Sequence, residues 1–302
     1  MAINFGQLLA SNRLPTLPNV ALRVIDLVQA DEPDVREIAR VIRTDAAIAS
    51  RILRTGNSAL LGLRTKVSTI ESAIPQLGLT LVRTLVLGFT LSAFRDVPKN
   101  AETAFETLWR GSLTQAVFAE LLAQETPDAD PPTYFLAGLL QDVGILSALS
   151  VDSRNYLAHV WAECRYPSVF AAEVNYYGFD HTEIAYELCS SWRLPESLCE
   201  AVSNHHKHRN DSSPPDLETA LQAASLCAEF VANSRNPEPM NRLVQFLSQH
   251  YGWSLEKIES VVCTAMLQVH EAAVIFSCNI GEVSTDQIIH DAKKLLADSA
   301  VA

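Results

Sequence analysis

Cysteine is scarce and scattered: six residues, Cys164, Cys189, Cys199, Cys227, Cys263 and Cys278, include no CxxC pair and no dense spacing. Such a set reads as reduced thiols, small buried hydrophobes rather than a disulfide framework. The opening MAINFGQLLASNRLP has neither a basic n-region nor a long apolar run, so no secretory leader is expected. Apolar stretches such as Thr84 to Leu91 are short and interrupted, and no membrane span is expected from them. Also missing are a glycine-rich phosphate loop, a nucleotide-binding βαβ pattern, a GxSxG elbow and a reactive Cys/His motif. Cys189 and Cys199 flank Trp192 on apolar faces, where burial raises a thiol's pKa. No internal repeat or low-complexity block is found.

What is present is a chain able to bury a large core: 302 residues, 48% hydrophobic and 19% charged. Its net charge of −12 argues against a broad basic surface for nucleic acid. A cytoplasmic location is the expectation.

Apolar residues recur at helical spacing, first at Val20, Val24, Leu27 and Val28, then at Ile38, Val41, Ile42, Ile48, Ile52 and Leu53. Strand-like alternation is hard to find. Pro18 and Asn19 open the first strong segment, Asp31 to Asp34 break it, and Gly56 with Asn57 close the third. Ser68 or Thr69, with Glu71, predicts a capped helix start, and Thr80 to Phe94 predicts a central helix apolar on most sides. Segments rich in Pro, Asp, Asn or Ser, at Arg95 to Ala101, Glu125 to Pro132, Arg209 to Pro215 and Asn233 to Pro239, are predicted linkers. The expected architecture is all-α: an N-terminal helical subdomain over 1–95, a larger helical one over 101–278, and a tail over 281–302. The tail carries Ile288, Ile289, Leu295 and Leu296 at amphipathic spacing over about three turns, and could dock on the body or lead into a partner.

The segments LPTLPNVALRVIDLV and IARVIRTDAAIASRILRTGNSALLGLRTKVSTIESAIPQLGLTLVRTLVL resemble the opening half of an HDOD domain. The likeness rests on Leu14 to Pro18, Asp45, Asn57 with Ser58, and Ala73 to Leu87. FLAGLLQDVGIL, EVNYYGFDHTEIAYELCSSWRLPESLCEAVSNHH and LQAASLCAEFVA continue it in the family's order, so that it covers about residues 7 to 278. The resemblance implies an HD-like helical bundle related to metal-dependent phosphohydrolases, whose histidines and aspartates from several helices hold one or two ions. Metal hydrolysis needs deprotonated imidazoles and carboxylates with an open position for water.

Carried over residue by residue, that pattern is incomplete. Its first histidine falls at Gly111, its HD dyad at Gln141 and Asp142, and its last aspartate at Glu229. An amide is a feeble ligand beside imidazole. The remnants are Gln141, Asp142, His181, His205, His206 and Glu229. Asp142, between Leu140 and Val143 and flanked by Gly138 and Gly144 that permit close helix approach, reads first as a structural carboxylate, capping or pairing with a buried histidine. His181 reads as a hydrogen-bonded, partly buried histidine at a helix start capped by Asp180 or Thr182. Adjacent helical side chains diverge by about 100°, so only one of His205 and His206 is expected to face the pocket. His208 reads as an exposed helix end.

Arg23, Arg36, Arg40, Arg43, Arg51, Arg54 and Arg64 make the N-terminal half less acidic than the rest. A solvated face with local ion pairs accounts for them; docking of an acidic partner or an anionic cyclic dinucleotide is the sharper alternative. No catalytic residue, resident metal or cofactor is expected. The resemblance implies a non-catalytic signal-transduction module acting through protein partners, including those of cyclic-diguanylate pathways, with self-association left open. A phosphohydrolase or cyclic-nucleotide phosphodiesterase using Asp142, His181, His205 and Glu229 is one alternative. A nucleotide-sensing domain without turnover is the other.

Overall fold

The computed structural model describes residues 3–58, 65–93, 99–162, 169–207, 214–281 and 284–301. Among these, regular structure is helical throughout, with no strand. The N-terminal helices are α1 (Phe5–Leu9), α2 (Asn19–Val28), α3 (Val35–Arg43), α4 (Ala46–Gly56), α5 (Ile70–Leu77) and α6 (Leu79–Ala93). After them come α7 (Glu102–Ala123), α8 (Pro131–Leu140), α9 (Val143–Tyr156), α10 (Phe170–Tyr177), α11 (His181–Ser191) and α12 (Glu196–Asn204). The chain ends with α13 (Leu217–Ala232), α14 (Pro237–Tyr251), α15 (Leu255–Phe276) and α16 (Thr285–Val301).

Local chemistry sets most of the boundaries. Asp34 and Asp45 accept hydrogen bonds from the free N–H groups that open α3 and α4. Thr69 caps α5 in a reciprocal box with Ser72; the expected partner Glu71 instead pairs with Arg43 at 2.5 Å. Gly178 and Gly252 end α10 and α14 with positive φ.

α7 is the axle. It packs against α8, α13 and α15, while α6 bridges α2, α4 and α5 on one side to α8 and α15 on the other. One apolar core runs through both regions, from Leu8 and Ile25 to Phe276 and Leu296. The predicted boundary at Arg95 to Ala101 falls largely outside the described residues, as do Arg64, Cys164 and His208. The tail helix is longer than expected, 17 residues, and docks on α15 and α14 with Ile288, Ala292 and Leu296 buried.

Two helical runs, Pro131–Trp161 and Leu255–Phe276, are long and apolar enough to cross a membrane, which corrects the expectation drawn from short apolar stretches. The first run comprises α8, α9 and the helical turn after them, joined through Gln141 and Asp142. Its most apolar window is 94% buried inside the fold, whereas that of α15 is 44% buried. Leu267 and Val274 leave α15 with an exposed apolar side.

Arg23 and Arg40 share Glu37, at 3.0 and 3.5 Å, so these arginines fit the solvated face with local pairs. Arg51 does not. It turns inward, donating to the carbonyls of Phe89 (3.1 Å) and Phe276 (2.7 Å) with its guanidinium over the Phe89 ring. Cys189 and Cys199 are buried as expected. Of these two, the Cys189 thiol is pushed up, chiefly because it donates to Cys199; Cys199, as acceptor, is held below its usual value, against the expectation for it.

Candidate functional site

The site forms where the α8–α9 junction meets α11 and the end of α12. Gln141 and Asp142 occupy the break between α8 and α9. Two glycines permit the approach. A Cβ on Gly138 would lie 2.6 Å from the Gln115 carbonyl oxygen of α7, and one on Gly144 would lie inside the backbone of His181.

Asp142 is fully buried and does not cap α9 with its side chain. One carboxylate oxygen accepts from the Gln115 amide at 2.8 Å. The other lies 3.6 Å from His181 Nε2 and 3.8 Å from His205 Nε2. Of its two expected structural roles, pairing with buried histidine is the one realised.

His181 is buried completely, more deeply than predicted. Asp180 caps its helix in a box with Glu183. Its Nδ1 donates to Glu173 at 2.5 Å and its backbone N–H to the same carboxylate at 2.9 Å. Glu173 also accepts from the hydroxyl of buried Tyr156. Burial alone would lower the His181 pKa; Glu173 and then Asp142 outweigh it and raise it to about 9. His205 goes the other way, to about 3, because burial and neighbouring His181 both disfavour its charged form.

The prediction that His205 and His206 diverge is overturned. His206 Nε2 lies 3.1 Å and His205 Nε2 3.4 Å from His181 Nε2. Regular helix ends at Asn204, but His205, the C-cap, keeps a right-handed helical backbone with φ −63° and ψ −16°. The 100° rule gives only the Cα–Cβ directions, and an imidazole further out along χ1 and χ2 swings past them. Donor atoms of the three imidazoles all lie within 4.8 Å of one another. His205 Nδ1 donates to the Val202 carbonyl at 2.6 Å. His181 and His205 thus have Nδ1 committed and Nε2 aimed inward, the arrangement outer partners impose on metal-binding imidazoles. With Asp142 beside them, these residues fit one borderline cation of the Zn²⁺ or Fe²⁺ type.

The other remnants do not join them. Gln141 donates to the Leu221 carbonyl and the Ser225 hydroxyl, each at 3.0 Å. Glu229 is ion-paired with Arg242 across a cavity that His205 and His206 also border; burial raises its pKa and Arg242 opposes that. Gly111 is buried within α7 and offers no side chain. Sequence reasoning missed Glu173, Tyr156 and Gln115. A signal existed for Glu173, a lone acid between Ala172 and Val174; none existed for Gln115, one turn beyond Gly111.

The HDOD domain profile matches residues 14–208, and the chain belongs to the HDOD family. It is 25% identical over 221 residues to an uncharacterised protein of Treponema pallidum, covering 70% of this chain and 42% of that one. It spans less than half the length of the curated relatives it matches. Among solved structures, a protein provisionally classed as a phosphohydrolase from Shewanella amazonensis superposes with TM-score 0.68 at 20% identity, covering 89% of this chain and 96% of that one. A provisional signal transduction protein from Marinobacter aquaeolei gives 0.64 at 20% identity, with 92% and 62% covered. At such identities the likeness is one of fold, and the fold is HD-like.

Proposed function

We propose that this chain is a cytoplasmic signalling module that works by associating with other proteins and not by turnover. The observation that carries the reading is the fate of three positions of the HD pattern. Gly111 has no donor, Gln141 is spent on α13, and Glu229 is engaged by Arg242. Without them a second ion has no ligands, and a two-ion clamp on a phosphoryl group cannot be built. Membership in the HDOD family, and the signalling name of the Marinobacter aquaeolei protein of similar fold, support a regulatory role. Partners in cyclic-diguanylate pathways remain the working expectation.

A second reading is favoured by the three converging imidazoles: the site holds one cation without catalysing, and the bound ion sets the shape of the α9–α11–α12 surface that a partner reads. In it Asp142, His181, His205 and His206 supply the ligands, and Glu173 orients His181. A bound borderline cation would supply Lewis acidity.

Metal content by mass spectrometry, on protein purified without chelator or a metal-affinity step, tests both readings beside assays against phosphodiester and phosphomonoester substrates with added Mn²⁺ or Fe²⁺. At most one ion per chain and no turnover is the expected result. Turnover that Asp142→Ala abolishes would replace both readings with a hydrolase.

A further inference from the structure

A second cavity, remote in sequence from the histidines, lies on the seam between the two helical regions. It has a volume of about 240 Å³ and is walled by α4, α6, α7, α8 and α15. Leu81, Leu85, Phe135 and Ile275 make its walls largely apolar. Into this lining α7 places a single acid, Glu120, with Val117 one turn before it and Gln124 one turn after. Glu120 has no hydrogen-bond or ion-pair partner among the described residues. Burial raises its carboxyl to about 7, with no neighbouring charge contributing. Because Gln124 is exposed and borders the same cavity, the space reaches solvent.

An unpaired carboxylate in apolar surroundings is costly, and the cost falls when an opposite charge arrives. A neutral apolar guest would leave the acid unpaired, and an anion would be repelled. A hard divalent cation would find one carboxylate, two amides and the hydroxyls of Thr55 and Thr84, a single charged ligand and fewer than the six or more oxygens it needs. The guest that satisfies both the acid and the walls is a monocation with a hydrocarbon tail. Gln124 and Gln268 add amide oxygens that accept from the remaining N–H donors of an ammonium. We propose that this seam cavity is a binding site for a small alkylammonium, its nitrogen on Glu120 and its tail against Leu81, Leu85 and Ile275. Such a guest touches helices of both regions at once and stabilises their docking.

A lysine side chain of a partner protein shares this chemistry, so the test separates the two sources. Isothermal titration calorimetry of the full chain is run with butylammonium, hexylammonium, hexanol and N-acetyl-lysine amide, the last standing for a partner's lysine. Hexylammonium is expected to bind roughly fifteenfold more tightly than butylammonium, at about fourfold per methylene. Hexanol is expected to bind at least about tenfold more weakly than hexylammonium, one hydrogen-bonded charge being worth about 1.5 kcal/mol or more; the lysine mimic keeps the ammonium but ends in a polar backbone that the apolar walls do not accommodate, and is expected to bind more weakly than hexylammonium. Glu120→Gln, which keeps the shape, should lower hexylammonium affinity by the same factor and abolish the proton release seen in buffers of different ionisation enthalpy. Ala272→Leu, which fills the cavity from α15, should abolish binding, and His206→Ala should leave it unchanged. No binding, equal affinity for hexanol, indifference to Glu120→Gln or Ala272→Leu, or loss in His206→Ala would each overturn the assignment. A lysine mimic that binds as tightly as hexylammonium would overturn the small-molecule source.

Discussion

Gly144 shows how little room a single position leaves. Any β-carbon there meets the His181 backbone, so the α9–α11 contact exists only because residue 144 has no side chain. Gly144→Ala is expected to cost about 3 kcal/mol or more, since the obstacle is main chain and cannot rotate away; urea denaturation followed by circular dichroism measures it. Glu120 gives a prediction of opposite sign. Its carboxyl rises from 4.5 to about 7 on burial, so the folded chain holds that proton more tightly than the unfolded one does. The associated stability is fully present below pH 4.5 and is lost as pH climbs through 7. Between pH 4 and 8 the stability of Glu120→Gln relative to wild type should therefore improve by about 2 kcal/mol, a figure reduced for the partial exposure of the group. A difference that stays flat with pH would show that the carboxyl is already paired or hydrated.

Among the helices, Arg51 of α4 is one of the side chains that tie one region to the other, beside Arg83, which donates to Thr133 at 3.1 Å, and Arg193, which pairs with Asp26 at 2.7 Å. Arg51 donates to the Phe89 carbonyl of α6 and the Phe276 carbonyl at the end of α15, two acceptors far apart in sequence. Arg51→Met keeps much of the apolar stem but removes the guanidinium donor from both carbonyls, leaving Phe89 with the Ser92 hydroxyl at 3.1 Å and Phe276 with the weak Cys278 thiol at 3.8 Å, and a loss of about 1–3 kcal/mol in chemical denaturation is expected. Arg23→Met, at the exposed pair with Glu37, should cost less than about 1 kcal/mol. The sequence could not separate these two arginines, because both sit at helical spacing among the same charges. What it made legible was periodic and local. The apolar stripes gave the helices, Pro18 with Asn19 and Asp180 were readable as starts, and the glycines around Asp142 were readable as close approaches. What stayed hidden depended on how a side chain turns or on what lies across the fold. The offset between successive Cα–Cβ directions does not say where a ring turned about χ1 and χ2 ends, so the convergence of His205 and His206 left no trace. Glu173 reaches His181 only because α10 reverses at Gly178, where φ is +80°.

At the scale of the whole molecule the question is whether two helical regions unfold as one body. Phe276, at the end of α15, seats its ring against Gly88 of α6, between Phe89 at 5.5 Å and Phe135 at 5.8 Å. A Cβ on Gly88 would strike that ring, so the fit of the two regions is set at one point by a missing side chain. With the core continuous across the seam, a single cooperative transition is expected. The four tryptophans, Trp109, Trp161, Trp192 and Trp253, all lie after residue 101 and report the larger region alone. Helical circular dichroism reports both regions. In wild type the two signals should coincide along a urea titration. Gly88→Val displaces Phe276, and with it the Arg51 contact to the Phe276 carbonyl, so part of the dichroism should be lost before the tryptophan fluorescence changes. Signals that still coincide in Gly88→Val, at a lower midpoint, would mean that the rest of the α6 interface with α8 and α15 is enough to couple the halves, and that Phe276 contributes stability without controlling cooperativity.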